Sequence, residues 1–375
     1  IIDTNHKHFL AYKSTISCDA NAYLTKIIQS NDPKIEDKMK NYCTMLQTIN
    51  HPTISPFYSY CLSSQNPMKQ NLLILKFAPY SLQKLFDKQK EGQQILWWNL
   101  TRKFIVLYGI AISLRFLHSK NIVHQRLTPS NILIDENYEP QITDFQTETL
   151  FPINHSKDNL IRNNYFYYID PTCLHDNPIT TAKSDIYALA IIIILVLSGN
   201  QHLYENEDDI DSLLNEIRNG LLPIIPDTFP DELKQLLRKC LNNDPNLRPS
   251  INQFLKQFDS IINIYPEISQ NEIFQQYKQK ILSSHKNDDV NPEIKQLKLD
   301  ADNGKPQSMF ILALKLLEGI DIPKNEAEAI KYLKMARKHN YEPAKIKLDN
   351  LNIENGPTPS TSMENLDTAA DYDDV

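Results

Sequence analysis

The sequence predicts an α+β fold, because a strand-rich half is followed by a helical half and a short helical repeat. Residues 1–78 hold short runs rich in aromatic and β-branched residues, with one helical pattern between them. From residue 79 onward, apolar residues recur at helical spacing. Strands grouped before helices favour α+β over an alternating, parallel α/β sheet.

The bulk composition narrows the class of protein. The chain has 375 residues, of which 41% are hydrophobic and 23% charged, so a core-forming chain of more than one domain is expected. Its net charge of −7 argues against a nucleic-acid partner. Five scattered cysteines without CxxC spacing indicate reduced thiols, and we expect a cytoplasmic protein. The longest apolar run, Ala188–Leu197, is too short to cross a membrane. The first residue is not methionine, which leaves open whether residues precede Ile1.

The N-terminal elements follow in order. Strands are predicted at His8–Tyr12, Ala22–Ile28 and Asn71–Ala78. Asp32-Pro33 predicts the start of a helix, with Asp32 as N-cap, because Asp accepts bonds from free helix amides and proline suits the first turn. Ile35, Met39, Cys43, Leu46 and Ile49 form its apolar face.

The helical half begins near residue 79. Its helices are predicted at Ser81–Lys88, Leu96–His118, Ile186–Leu197, 231–240 and 250–262, with a short strand pair at 132–134 and 141–143. Because Ile186–Leu197 is apolar all round, it should be buried on every side.

Beyond a polar stretch at 284–292, which reads as a linker, lies a 36-residue repeat. Leu297, Gly304, Ser308 and Leu312 are matched by Leu333, Asn340, Ala344 and Leu348. Gly and Asn tolerate the left-handed conformation that ends a helix, so each repeat is predicted to be a helical hairpin. Residues 351–375 are predicted to be a disordered acidic tail.

Five motifs in sequence order carry a family resemblance. They are Ile122–Asp135 (containing His124-Gln125-Arg126), Asp144-Phe145-Gln146, Asp170-Pro171-Thr172, Lys183–Tyr187 and Asp244–Pro249. These resemble the catalytic loop, the D-F-G and A-P-E motifs, and two later segments of protein kinases. The 36-residue repeats resemble SEL-one-like (tetratricopeptide-like) repeats, a less specific match.

The resemblance implies a bilobal protein-kinase-like fold with a small α-helical repeat segment. The expected boundaries are 1–78 for the N-lobe, 79–258 for the C-lobe, 259–292 for a helical extension and linker, 293–350 for the repeats and 351–375 for the tail.

Several residues that phosphoryl transfer needs are replaced. Arg126 stands where the family has its catalytic aspartate, and a guanidinium offers donors but no acceptor. Thr128 replaces the loop lysine. Tyr42 falls at the helix glutamate that should pair with the phosphate-binding lysine. The positions of the glycine-rich loop fall on Ile1, Asp3 and His6.

Other residues of such a site are retained. Lys26 matches the phosphate-binding lysine, with Lys13 as second candidate, while Asn131 and Asp144 match the two metal ligands. The resemblance further places Leu24, Ala78 and Leu133 in a nucleotide pocket, where Leu24 would crowd an adenine. No cofactor is certain, and weak binding of ATP and Mg²⁺ stays open. Asp144 could equally be a turn residue.

The remaining matches are expected to maintain the fold. Leu46, Phe57, His124 and Phe145 should stack in a core that joins the lobes, and Asp185 should bond the catalytic-loop backbone. Arg248, whose usual glutamate partner is replaced by Thr172, needs another partner or lies more exposed. Tyr165, Tyr167 and Tyr168 lie in the segment equivalent to an activation loop.

Three hypotheses follow. The first is a pseudokinase that acts as a scaffold or regulator in signalling and binds proteins through its repeats and its kinase-like lobe. The second is a weakly active or unusual ATP-dependent Ser/Thr-type kinase. In the third, the repeats are the functional part and the larger domain presents them.

Overall fold

The structure is a computed structural model. It describes residues 9–15, 22–28, 30, 32–147, 150, 162–174, 180–199, 202–205, 209–288, 292–318 and 325–354. The chain divides into two compact units, Ile1–Asn287 and Asp288–Val375.

The first unit begins with a four-stranded antiparallel sheet in the order β1-β2-β4-β3. Its strands are β1 (Phe9–Thr15), β2 (Ala22–Ile28), β3 (Phe57–Cys61) and β4 (Asn71–Lys76). Successive strand residues point to opposite faces, so Leu24, Lys26 and Ile28 share the buried face of β2. This alternation turns a lysine inward.

Helix α1 (Ile35–Gln47) lies between β2 and β3 and begins later than predicted. Its N-cap residue is Lys34, not Asp32. Asp32 instead accepts a hydrogen bond from the Lys34 amide at 2.8 Å, in a turn that precedes the helix. The buried face of α1 includes Met39, Tyr42 and Leu46, which lie at helical spacing.

The rest of the first unit is mainly helical. Its helices are α2 (Leu82–Lys90), α3 (Leu100–Ser119), α4 (Ala182–Ser198), α5 (Ile210–Arg218), α6 (Asp231–Cys240) and α7 (Ile251–Ile262). A small antiparallel sheet joins β5 (Tyr80–Ser81), β6 (Ile132–Ile134) and β7 (Pro140–Ile142). Short 3₁₀ turns occupy Ser63–Gln65, Pro129–Asn131, Arg162–Tyr168, Pro171–Leu174 and Pro245–Leu247. Ile186 to Val196 of α4 are all buried, as the sequence predicted.

Two further helices, α8 (Pro266–Ser269) and α9 (Glu272–Asp288), pack on α3. The Phe274 ring lies 5.8 Å from that of Tyr108. A Cβ at Gly109 would overlap Tyr277 and Pro140, so glycine permits this close approach. Because α9 continues to Asp288, residues 284–288 of the predicted linker are helical, and the boundary between the two compact units falls within this linker, between Asn287 and Asp288.

In its described residues, the second unit contains four helices, α10 (Pro292–Asp302), α11 (Pro306–Glu318), α12 (Glu326–Lys338) and α13 (Glu342–Glu354). The bounds of α11 and α13 differ by the 36 residues of the sequence repeat. Gly304 and Asn340 have φ values of 87° and 57°, the left-handed conformation expected at both positions. Because α13 runs to Glu354, residues 351–354 are helical, and only 355–375 of the predicted tail lie outside the described residues.

Among the described residues, no helix is both long and apolar enough to cross a bilayer. Cys43, Cys61, Cys173 and Cys240 are free thiols, in agreement with the expectation of reduced cysteines.

Candidate functional site

The site is built around the segment 122–131, here named the His124 loop, which Asp185 holds in place. Asp185 lies in the first turn of α4, where Thr181 and Ser184 form a capping box. One carboxylate oxygen of Asp185 accepts the His124 amide at 2.8 Å and the other accepts the Gln125 amide at 3.0 Å. Its side chain therefore bonds the loop backbone, as predicted.

Asn131 fixes the position of Arg126 within this loop. The Asn131 side-chain amide donates to the Arg126 carbonyl at 2.8 Å, and Arg126 is half-buried. Two residues on, Thr128 is buried, and its hydroxyl has no hydrogen-bond partner within the described parts of the chain. The loop thus places a cation, Arg126, where acid–base chemistry would need an acceptor, and a neutral hydroxyl, Thr128, at the position expected for the loop lysine.

Lys26 and Asp144 form a buried ion pair. The Lys26 ammonium lies 2.7 Å and 2.6 Å from the two carboxylate oxygens of Asp144. The two side chains are 9% and 5% exposed. Because water screens such a pair poorly, it is held more firmly than a surface pair.

Tyr42 of α1 lies beside this pair. Its hydroxyl donates to the Phe145 carbonyl at 3.2 Å. Burial, reinforced by the charge of Asp144, raises the pKa of Tyr42 well above its usual range, so the phenol stays neutral. Tyr42 therefore ties α1 to the segment after Asp144 without any ionic contact to Lys26.

The turn at Asp144–Gln146 departs from ordinary backbone geometry. Asp144 and Gln146 have φ values of 62° and 56°. The Gln146 amide donates to the His124 carbonyl at 3.0 Å, which joins the turn to the His124 loop. A glutamine in the left-handed region is strained, because its Cβ crowds the following carbonyl.

The sequence predicts that four residues, Leu46, Phe57, His124 and Phe145, form part of the core. The rings of His124 and Phe145 meet edge to face with centroids 6.3 Å apart. Leu46 and Phe145 belong to one hydrophobic cluster, and the partly buried Phe57 packs against it. Burial lowers the pKa of His124, so its ring is neutral at pH 7. These four residues thus act as core, as expected.

The sequence model of the protein kinase domain family matches residues 11–258 of this chain. The chain belongs to the protein kinase family. It is 27% identical over 236 residues to a probable serine/threonine-protein kinase of Dictyostelium discoideum, a match covering 61% of this chain and 17% of the relative. It is 23% identical over 275 residues to cysteine-rich receptor-like protein kinase 25 of Arabidopsis thaliana, covering 68% and 39%. The dual specificity protein kinase shkB of Dictyostelium discoideum matches at 26% over 223 residues, covering 59% and 33%. The chain therefore spans well under half the length of these relatives.

Asp170 replaces the acid that usually pairs with the family's late arginine. Arg248 is fully buried and forms two bonds to Asp170, at 2.6 Å and 2.8 Å. It also donates to the carbonyls of Asn242 and Lys183. The expectation that Arg248 has another partner is therefore confirmed, and the alternative expectation that Arg248 is more exposed is wrong. The acidic partner lies two positions before Thr172, so the sequence contained a candidate partner for Arg248 that the motif comparison did not consider.

His118 is a further partner that the motifs did not indicate. Its Nε2 lies 2.8 Å from the Asp185 carboxylate. His118 belongs to the last turn of α3 and has no place in the kinase motifs quoted above. Only the fold brings it to the His124 loop.

The sequence predicts three residues of a nucleotide pocket. Leu24, Ala78 and Leu133 are all buried and belong to one hydrophobic cluster. Lys13, the second lysine candidate, lies in β1 opposite Leu24. The predicted glycine-loop positions Ile1, Asp3 and His6 lie outside the described residues.

The two predicted metal ligands, Asn131 and Asp144, both make hydrogen bonds within the protein. Asn131 donates through its amide nitrogen, which leaves its oxygen to accept. Both oxygens of Asp144 contact Lys26, although a carboxylate offers further lone pairs. These two residues would hold Mg²⁺, whose role in kinases is to neutralise charge on the phosphates. In the described residues, no cluster of three or more His, Cys, Asp or Glu side chains could bind a metal by itself.

The activation-segment tyrosines mainly pack. Tyr167 and Tyr168 are buried in the 3₁₀ turn Arg162–Tyr168, and the Tyr167 ring stacks on that of Tyr204 at 5.8 Å. Burial raises the pKa of Tyr168. Tyr165 is half-buried and lines a small pocket with Gln125.

Proposed function

We propose that this chain is a pseudokinase, a protein with the kinase fold that does not transfer phosphate and serves as a scaffold or regulator in signalling. We further propose that the helices of the second unit are SEL-one-like repeats that bind proteins. Fold membership alone does not decide activity, because one fold hosts many functions. The proposal therefore depends on the side chains of the site.

Arg126 is the observation that carries the proposal. Phosphoryl transfer to a hydroxyl needs a carboxylate that orients the nucleophile and accepts its proton. Arginine has no acceptor and stays protonated at any useful pH. Loss of a general base typically lowers the rate by about 10²- to 10⁴-fold. A fixed positive charge at this position also repels the metal ion.

The surroundings of Lys26 support the same reading. In an active kinase, a helix glutamate holds the lysine against the phosphates. Here Tyr42 stands in that place and donates to a backbone carbonyl, while Lys26 contacts Asp144. The lysine and the metal-binding aspartate thus neutralise each other. A nucleotide with its metal ion would compete with this contact for both groups.

The proposed test is a phosphorylation assay on the purified 375-residue chain with Mg²⁺·ATP and a generic Ser/Thr substrate. We expect no transfer above that of an Asp144→Ala variant, which measures contaminating kinases. Transfer that is present in the wild type and lost in Asp144→Ala would overturn the proposal. Arg126→Asp, assayed alongside, shows whether the rest of the site could still support catalysis.

A weakly active Ser/Thr-type kinase is the second candidate. It is favoured by the joint survival of Lys26, Asn131 and Asp144 and by the kinase names of the relatives. It requires nucleotide binding, so a thermal shift with millimolar ATP and Mg²⁺ tests it directly. No shift in the melting temperature would make this candidate untenable, and a shift abolished by Lys26→Met would favour it.

A further inference from the structure

The segment after α5 exposes three large apolar side chains within four residues. Leu221, Leu222 and Ile224 are 37%, 40% and 45% exposed. We name them the Leu221–Ile224 strip. Scattered exposed apolar residues are ordinary, but a contiguous group marks a binding surface more often than the average surface does.

The backbone under the strip is fixed. The Leu221 amide donates to the Glu216 carbonyl at 2.9 Å, and the Ile224 amide donates to the Leu203 carbonyl at 2.8 Å. Pro223 is buried between them. A Cβ at Gly220 would overlap the Asn243 side chain, so the turn before the strip sits directly against its neighbour. The apolar side chains are therefore presented on a preorganised frame, which lowers the entropy lost on binding.

Acidic residues flank the strip. Residues 202–224 contain six acids and one base. Glu205, Asp211 and Glu216 are exposed. The one base, Arg218, points its guanidinium at the Leu174 carbonyl and the Asn215 side chain. An apolar surface beside a segment with an excess of negative charge suits a partner that carries both apolar and positive groups.

We infer that the Leu221–Ile224 strip and the acids of α5 form a docking surface for a basic amphipathic helix of another protein. Leu or Ile side chains on one face of that helix cover the strip, and Lys or Arg residues beside them face Glu205, Asp211 and Glu216. A second copy of this chain fits poorly, because a symmetric contact would bring acids against acids. This surface is separate from the site behind the pseudokinase proposal, so it stands whether or not that proposal holds.

The test measures binding of a fluorescent Leu/Lys amphipathic helical peptide to the full chain by anisotropy. Two control peptides are used: a scrambled peptide of equal composition without an apolar face, and a Leu/Glu peptide of opposite charge. We expect the amphipathic basic peptide to bind at least about tenfold more tightly than either control, a difference of about 1.4 kcal/mol. Equal affinity for the scrambled peptide would overturn the proposal, because net charge alone would then explain binding.

Variants locate the surface. Ile224→Ser and Glu216→Lys should each weaken binding about fivefold or more, the latter with a reduced salt dependence. Ile264→Ser is the matched control, because Ile264 is 43% exposed and lies beyond α7. An equal loss in Ile264→Ser, or no loss in Ile224→Ser with its circular dichroism unchanged, would contradict the assignment. Sedimentation of the chain alone completes the test: self-association abolished by Ile224→Ser would make a second copy the occupant and overturn the proposal.

Discussion

Two buried ion pairs in the first unit have different surroundings. Arg248 and Asp170 form one pair, here called the framework pair, in which Arg248 also reaches two carbonyls and the ring of Tyr187 at 5.2 Å. Lys26 of β2 and Asp144 of the Asp144–Gln146 turn form the other pair, and the region around it is here called the cleft. The first pair is surrounded by further fixed contacts on the arginine, whereas the second brings together two groups that an active kinase uses on a ligand.

This difference separates what the fold requires from what chemistry requires. At the first pair, the family's glutamate is lost, but Asp170 restores the ionic contact. At the second, Tyr42, which the sequence predicts to stand at the family's helix glutamate, links α1 to the Phe145 carbonyl but carries no charge. At the framework pair an ionic contact is therefore kept, whereas at the cleft a neutral hydrogen bond stands where an ionic contact is expected.

The largest expected effect is on the framework pair. Arg248→Ala should lower the free energy of unfolding by about 4 kcal/mol, because it leaves the Asp170 carboxylate buried without its cation. Urea denaturation measures the loss. Arg238→Ala, at an exposed position of α6, should change stability by less than about 0.5 kcal/mol. Similar small effects for both variants would remove the distinction between the two pairs.

The same pair predicts a dependence on pH. Burial raises the pKa of Asp170, but the hydrogen bonds and charge of Arg248 outweigh burial, and the net shift is below the ordinary value of 3.8. A lowered pKa in the folded state stabilises the protein above the unfolded pKa and loses this effect as pH falls through the folded value. The stability difference between wild type and Asp170→Asn should therefore be constant above pH 5 or so and shrink below about 4. A difference that grows on acidification would contradict this assignment.

The next effect concerns the pair in the cleft. Lys26→Met should lower the free energy of unfolding by about 2 to 3 kcal/mol, less than Arg248→Ala, because Arg248→Ala also removes the donor from two carbonyls. The double variant Lys26→Met/Asp144→Asn should recover more than half of this loss, since no buried charge is left. Denaturation of both variants at pH 7 measures the coupling. A double variant no more stable than Lys26→Met would show that the two side chains are independent.

A smaller effect is expected from the hydrogen bond between the Tyr42 hydroxyl and the Phe145 carbonyl. Tyr42→Phe should cost about 1 kcal/mol, because the Phe145 carbonyl loses its donor in a buried place. Tyr58→Phe, in which the ring is half-exposed, serves as the control and should be close to neutral. If both variants were neutral, Tyr42 would contribute packing only, and α1 would lack the proposed tie to the cleft.

Periodic segments made most of the fold predictable. The apolar run predicted the buried helix α4, and Gly304 and Asn340 predicted the residues where helices end. Both predictions succeeded because each depends only on neighbouring residues in the sequence. The start of α1 was misplaced, since Asp32 bonds the next available amide in a turn and not inside the helix. The extension of α9 past residue 284 was missed, because polar residues can occupy an exposed helix.

The site was predictable by position but not by partner. Motif spacing singled out Lys26, Tyr42, Arg126 and Asp144, and the structure brings Lys26 to Asp144 and Tyr42 to the neighbouring Phe145 carbonyl. It could not show that Lys26 would contact Asp144, because that depends on the distance between β2 and a turn more than a hundred residues later. The Asp170–Arg248 contact was missed for the same reason.

The smallest expected effect tests whether the cleft stores strain that the framework lacks. Gln146→Gly should raise the free energy of unfolding by about 0.5 to 1 kcal/mol, because glycine adopts the φ of 56° without crowding, an advantage only partly offset by its freer unfolded chain. The matched control is Gln276→Gly in the exposed face of α9, which should destabilise by a similar amount, because glycine is unfavourable inside a helix. If the change in the free energy of unfolding is positive for Gln146→Gly and negative for Gln276→Gly, the strain lies in the Asp144–Gln146 turn. Equal destabilisation would mean that the Gln146 side chain contributes more than its backbone costs, and the cleft would then be as well adapted as the framework around Arg248.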